Sequence, residues 1–354
     1  MRKSTLAAVV CVIIAVGVLG VVMIYPQQTF YGGEEGPSDQ GGTYPPIYGR
    51  PPDVSVSFSV PDAYLGDYPE ATFTVYNPGG ACSISYTIFE TQPQTGTFSL
   101  GEGESQTVTA TGPQVRDIGS YFTSVRVTAT NSYGSDSAQA STTFSVGVEP
   151  FDATLYINEY ELRLASANLQ QISQTLIGGF TKLLAIFGYE DLVADSFRLL
   201  AVSTNTTNAI AQALASRHPG DKELQAKEIY YWVVNWISYD ERVGSGLSLE
   251  GFIHQAEFPI QTINSRNGIC INYALTLATL YEAAGLDAEL LLVWNEPLEP
   301  GHALVLLHYP NLDYAYYPLG DDRLVLDPTA GSTAGWHFGE YHPQGWEHYD
   351  TADV

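Results

Sequence analysis

Cationic side chains are scarce in this sequence. It has 14 Lys and Arg against 39 Asp and Glu, a formal net charge of −25, and only four of the cations are lysines. A surface of that sign repels phosphate backbones, which sets nucleic acid aside as a partner. It suits a secreted or surface protein kept soluble by self-repulsion. Cysteine is scarcer still, with Cys11, Cys82 and Cys270 in three separate regions. An odd, sparse set is no disulfide framework, so a Cys82–Cys270 bridge is not expected. Neither a G-x-x-x-x-G-K-[ST] loop nor a strand-linked G-x-G-x-x-G is present, so no nucleotide site and no cofactor are implied. What remains is ordinary globular material: 354 residues, 45% of them hydrophobic, allow two or three domains with sizeable cores.

One long apolar run exists, from Leu6 to Ile24, with Arg2 and Lys3 before it. At about 1.5 Å per residue it nearly spans the ~30 Å hydrocarbon core of a bilayer. The preceding cations put the short N-terminus in the cytoplasm and everything after Tyr25 outside. A cleaved signal peptide would have a shorter apolar stretch and a small-residue cleavage site. Met23-Ile24-Tyr25-Pro26-Gln27 offers none, so residues 1–24 are read as an uncleaved anchor at the cell membrane, meeting lipid through residues 6–24. Residues 25–52, rich in Gly, Pro, Tyr and Glu, read as an extended linker.

Period-two alternation rich in Val, Thr, Ser and Phe marks residues 53–149. Strands are predicted at Val54–Val60, Ala71–Tyr76, Ser83–Phe89, Gln106–Ala110, Tyr121–Thr130 and Ala138–Val146, separated by turns such as Asn77-Pro78-Gly79-Gly80. That pattern predicts an all-β, immunoglobulin-like sandwich acting as a spacer or adhesive module, with Cys82 as a small buried hydrophobe. Residues 150–220 read as a helical segment, including a long run from Leu162 to Phe187. Asp221 then caps a helix whose stripe is Ala226, Ile229, Val233 and Ile237, thickened by Tyr230, Trp232 and Trp236.

The chemistry gathers in residues 221–354. Asn267-Gly268 forms a turn, Cys270 opens a helix and Gly285 ends it, with Tyr273, Leu277, Leu280 and Ala284 as the predicted buried stripe. A thiol in the first turn faces the positive end of the helix dipole, which favours the nucleophilic thiolate. Downstream, Gly301-His302-Ala303 starts a strand, and Asp327-Pro328-Thr329 ends another, its backbone held extended by the proline. A thiolate can attack a carboxamide carbon, an imidazolium can pair with it and protonate the departing amine, and a carboxylate can hold the imidazole in the right tautomer.

The stretch from roughly Lys227 to Gly331 resembles the core of the transglutaminase-like superfamily, relatives of papain-type cysteine enzymes. That resemblance rests on Gly268-Ile269-Cys270, Gly301-His302-Ala303 and Asp327-Pro328-Thr329 in this order. The passage Tyr230 to Asp240 looks like the family's tryptophan-containing helix. Asn272 stands where relatives often carry Asp, and Leu304 where an aromatic is common. The resemblance implies an α+β papain/transglutaminase-like domain with a helical N-terminal extension, a catalytic Cys270, His302 and Asp327, and Gln255 with the Cys270 backbone N–H as oxyanion donors. The whole reads as a multidomain cysteine acyl-transfer enzyme acting on peptide or protein amides, either hydrolysing the thioester or passing it to an amine. The alternative is a non-catalytic adhesion or scaffold protein on the same fold. A metal site in the tail would need His337, His342 and His348 with Glu340, Glu347 and Asp350, whose spacing fits no helical ligand motif. Asn205-Thr206-Thr207 matches a glycosylation acceptor.

Overall fold

The computed structural model describes residues 49–172, 193–241, 255–295, 301–308, 323–334, 337–340, 346 and 348–354. The expected anchor at 6–24 and nearly all of the linker lie outside these residues. Among the described residues no helix is long and apolar enough to cross a membrane.

Two sheets form the N-terminal part. One has three strands in the order β1-β3-β6, with β1 at Ser55–Ser59, β3 at Glu70–Asn77 and β6 at Glu104–Thr111. The other runs β2-β8-β7-β4-β5, with β2 at Ala63–Tyr64, β4 at Cys82–Ile88, β5 at Gln94–Leu100, β7 at Gly119–Asn131 and β8 at Gly134–Gly147. Alternation explains the packing: Ala71, Phe73 and Val75 of β3 meet Ile84, Ile88, Val125 and Val127 in a shared core, while their sequence neighbours face outward. Cys82 is free and buried among them. Tyr121, near the start of β7, donates to the Asp117 carbonyl at 2.8 Å and pins the loop that enters that strand.

A short 3-10 turn at Ala153–Tyr156 leads to α1 (Glu159–Ile172), α2 (Val193–Arg198), α3 (Asn205–Ala215) and α4 (Lys222–Trp236). The predicted helix from Leu162 to Phe187 is described only to Ile172; its remainder lies outside the described residues. Asp221 caps α4 by accepting from the Leu224 N–H at 3.1 Å. The expected stripe of Ala226, Ile229 and Val233 is buried together with Tyr230 and Trp232. Trp236 stacks on Trp232 at 5.4 Å and donates to the Ile263 carbonyl, a packing role.

Strand β9 (Ser238–Tyr239) pairs in parallel with β10 (Asn267–Gly268), and α5 (Pro259–Ser265) lies between them in sequence. Helix α6 (Cys270–Ala283) is buried on every side from Cys270 to Tyr281, rather than along the single stripe that its sequence suggested. The cause is its surroundings: α3, α4, α5 and a four-stranded antiparallel sheet all pack on it. That sheet runs β13-β12-β11-β14, with β11 at Ala288–Trp294, β12 at His302–His308, β13 at Arg323–Leu326 and β14 at His348–Asp353. Leu290, Leu292, Val305 and Leu326 face α6; Leu291, Val293, Leu304 and Leu306 form a second cluster with Trp346 on the other face. Burial on both faces explains why β11 and β12 are nearly continuous apolar runs. Between β13 and β14 lies α7 (Pro328–Ala334).

Candidate active site

Three element starts converge. Cys270 is the first residue of α6 and only 6% exposed. Its approach is fixed from both sides: the Asp240 N–H donates to the Gly268 carbonyl at 2.9 Å, and Asn267 Nδ2 donates to Asp240 Oδ2 at 3.0 Å. Asn272, at the position where relatives often have Asp, is a structural stitch. Its Oδ1 accepts from the Ile269 N–H at 3.1 Å, and its Nδ2 donates to the Gln255 carbonyl at 3.0 Å. The thiol is thus held at the positive end of a buried helix, where an anion is favoured.

His302 opens β12. Gly301 before it lies so close to the Val293 carbonyl of β11 that a Cβ there would collide with it, and this permits the tight start of the strand. Asp327 stands just past β13. Extending the β12–β13 register beyond Val305 opposite Leu326 places Asp327 opposite Leu304, one diagonal step from His302. The expected strand-end aspartate is therefore also a helix cap. Its Oδ1 accepts from the Thr329 and Ala330 N–H groups at 2.9 and 3.0 Å, and Pro328 takes the first helical position. Its other oxygen, Oδ2, lies 2.7 Å from His302 Nε2.

With Nε2 committed to Asp327, Nδ1 is the ring nitrogen left for the thiol. Burial opposes a charge on His302, but the hydrogen bond to Asp327 and then the interaction with the Cys270 side chain outweigh it, pushing the imidazole up to about 10. The ring stacks on Trp346 with centroids 6.4 Å apart. Tyr239 lies within reach of the same charges: burial, then Cys270, then Asp327 raise its hydroxyl above the ordinary range. Cys270, His302 and Asp327 are therefore brought together. Gln255 is exposed and lines a cavity of about 130 Å³ with Asp240, Glu257 and Ile269. No hydrogen bond among the described residues joins its side-chain amide to Cys270.

Sequence reasoning missed Trp346, which arrives from a tail whose local pattern gave no element, and the Tyr230 hydroxyl that donates to the Asp327 carbonyl. The tail residues considered as metal ligands are only partly described, since 342 and 347 fall outside. His348 and Asp350 are used in β14, and His337 Nδ1 lies 3.5 Å from Tyr231 Oη. Among the described residues no group of three His, Cys, Asp or Glu could hold a metal ion. Asn205 is exposed at the start of α3, while the Thr207 hydroxyl is buried and accepts from the Thr204 N–H at 2.8 Å.

Comparison with known proteins agrees at the level of this domain. Residues 205–321 match a family model described as a transglutaminase-like domain. The matched stretch includes Cys270 and His302 and stops short of Asp327. No curated protein matches this sequence. Among solved structures, a TGase is 16% identical over 45% of this chain and 40% of its own, with a TM-score of 0.26. LapG of Legionella pneumophila is 15% identical over 34% of this chain and 70% of its own, with a TM-score of 0.22. The CARDB domain of a Pyrococcus furiosus protein is 22% identical over 28% of this chain and 96% of its own, with a TM-score of 0.21. Scores this low carry no functional argument.

Proposed function

We propose that the chain is a membrane-anchored, extracytoplasmic cysteine acyl-transfer enzyme acting on peptide or protein amides. The observation that carries this reading is one imidazole shared by two partners: a buried carboxylate 2.7 Å from Nε2, and the thiol at the start of α6. In the resting pair the thiolate faces the imidazolium. Attack of Sγ on the amide carbon forms the C–S bond and pushes the carbonyl π electrons onto oxygen. The oxyanion collapses, the C–N bond breaks, and His302 gives its proton to the departing amine. The thioester then passes its acyl group to water, as in a peptidase or deamidase, or to an amine, as in a cross-linking enzyme. Asp327 holds the imidazole and stabilises its charge throughout. The proposed oxyanion donors are the Cys270 backbone N–H and the Gln255 amide, for which Gln255→Ala is the test. The anchor rests on the apolar run at residues 6–24 and the cations before it, and the acidic surface suits an exterior location with no nucleic-acid partner.

Acetylation by p-nitrophenyl acetate tests the chemistry on the full-length protein. Mass spectrometry is expected to find one acetyl group on Cys270, absent in Cys270→Ser and strongly reduced in His302→Ala. Cys270 left unmodified at neutral pH would overturn the proposal in favour of a non-catalytic surface scaffold.

A further inference from the structure

Two buried tyrosines from different helices grip the short helix that Asp327 caps. Tyr230 of α4 donates through Oη to the Asp327 carbonyl at 3.1 Å, and the same carbonyl accepts the Gly331 N–H that closes the first turn of α7. Tyr273, one turn beyond Cys270 on α6, donates to the Ile237 carbonyl at 2.5 Å and pairs with Ser332 Oγ of α7 at 3.0 Å. Both rings are fully buried. Residue 331 must be glycine for this arrangement: a Cβ there would sit 2.6 Å from Tyr230 Oη and 2.8 Å from the Val234 side chain.

Core packing alone would be served by phenylalanine at either position. The hydroxyls instead join α7 to α4 and, separately, to the helix that carries the nucleophile. We infer that Tyr230 and Tyr273 are positioning residues: their hydroxyls lock α7 against α4 and α6 so that the Asp327 carboxylate stays aimed at His302 Nε2. Asp327 has little freedom of its own once α7 is fixed, because its Oδ1 is tied to two amides of that helix. Tilting α7 therefore swings Oδ2 away from the imidazole. Tyr230 is the stronger clamp, since it holds the backbone of Asp327 itself. Tyr273 acts five residues further along.

Tyr281 supplies an internal control. It is equally buried on α6 and donates its hydroxyl to the Ala226 carbonyl at 3.1 Å, with no bond to α7 among the described residues. Losing that hydroxyl costs a buried hydrogen bond without touching Asp327.

The inference rests on the Cys270–His302–Asp327 reading, and its test separates the two. His302 is titrated by NMR in the full-length protein labelled at histidine, with His302→Gln identifying its signal among the seven histidines. Among the described residues, the charged and titratable groups that raise the proton affinity of this ring are Asp327 and Cys270. Tyr230→Phe is expected to lower its proton affinity about tenfold or more. Tyr273→Phe should lower it less, and Tyr281→Phe not at all, although all three variants lose some thermal stability. Gly331→Ala keeps both hydroxyls but displaces Tyr230, and should act like Tyr230→Phe. If His302 titrates as in the wild type in both Tyr230→Phe and Gly331→Ala, the clamp is wrong. If wild-type His302 itself titrates like an ordinary histidine, the triad reading falls and the clamp falls with it.

Discussion

Asp327 has two duties, and they predict different losses. Asp327→Asn presents an oxygen that can still cap α7 but an amide that cannot balance an imidazolium. Acylation of Cys270 should fall by about 10²-fold or more while the folded state survives, checked by burst acylation beside a thermal melt. The imidazole also ties stability to pH. Its folded-state affinity is raised, so the stabilisation is complete below the unfolded value of about 6.5, declines above it, and is gone once pH passes about 10. Denaturant midpoints should therefore drop between pH 6 and pH 10 more steeply in the wild type than in His302→Gln. At this scale the sequence was informative for a physical reason. Each member of the trio begins or ends an element, where a Cys, a G-H-A or a D-P leaves a local mark. Trp346 and the Tyr230 hydroxyl left none, since each reaches the site across a long stretch of chain that only the fold closes.

Among the elements, α6 departs most from what its pattern suggested. Tyr273, Leu277 and Leu280 are buried as expected, but so are Ala274, Thr276 and Ala278 on the other faces. A stripe is visible in sequence only when the opposite face meets water, and here another layer covers it. Leu277→Ala should cost about 2–5 kcal/mol, because neighbours on all sides limit collapse into the cavity; urea denaturation measures it. Of the strands longer than two residues, β5 and β14 went unpredicted, and both are edges of their sheets. An edge strand need satisfy only one neighbour, so Gln94–Leu100 can be built from Thr, Gly and Ser around Phe98 and Leu100. Residues His348–Asp353 find their pairing only against β11, far back in the chain.

At the scale of the whole molecule, a charged network joins the sandwich to α4. Arg116, just before β7, forks onto Asp221 at 2.9 and 3.1 Å and reaches Glu223 at 2.9 Å. Beside it Lys227 of α4, itself buried, donates to the Arg116 carbonyl at 2.8 Å and to Asp117 Oδ2 at 2.9 Å. The same Asp117 takes the Tyr231 hydroxyl at 3.2 Å. Removing a buried ammonium with charged partners costs more than losing a surface ion pair, so Lys227→Ala should lose about 1.5–3 kcal/mol, and Arg116→Ala less. Calorimetry should show sandwich and helices unfolding together in the wild type and separating in the double variant. None of this was legible in the sequence, where Arg116 and Lys227 are simply two of the few cations. The measurement that bears most directly on the central claim is the pH dependence of iodoacetamide labelling of Cys270 in the full-length protein, with His302→Ala beside it. The account predicts rapid labelling at about pH 6, where an ordinary thiol of pKa ~8.5 is almost wholly protonated, and its loss in the variant. Labelling that rises only near pH ~8.5, and equally in both proteins, would contradict it.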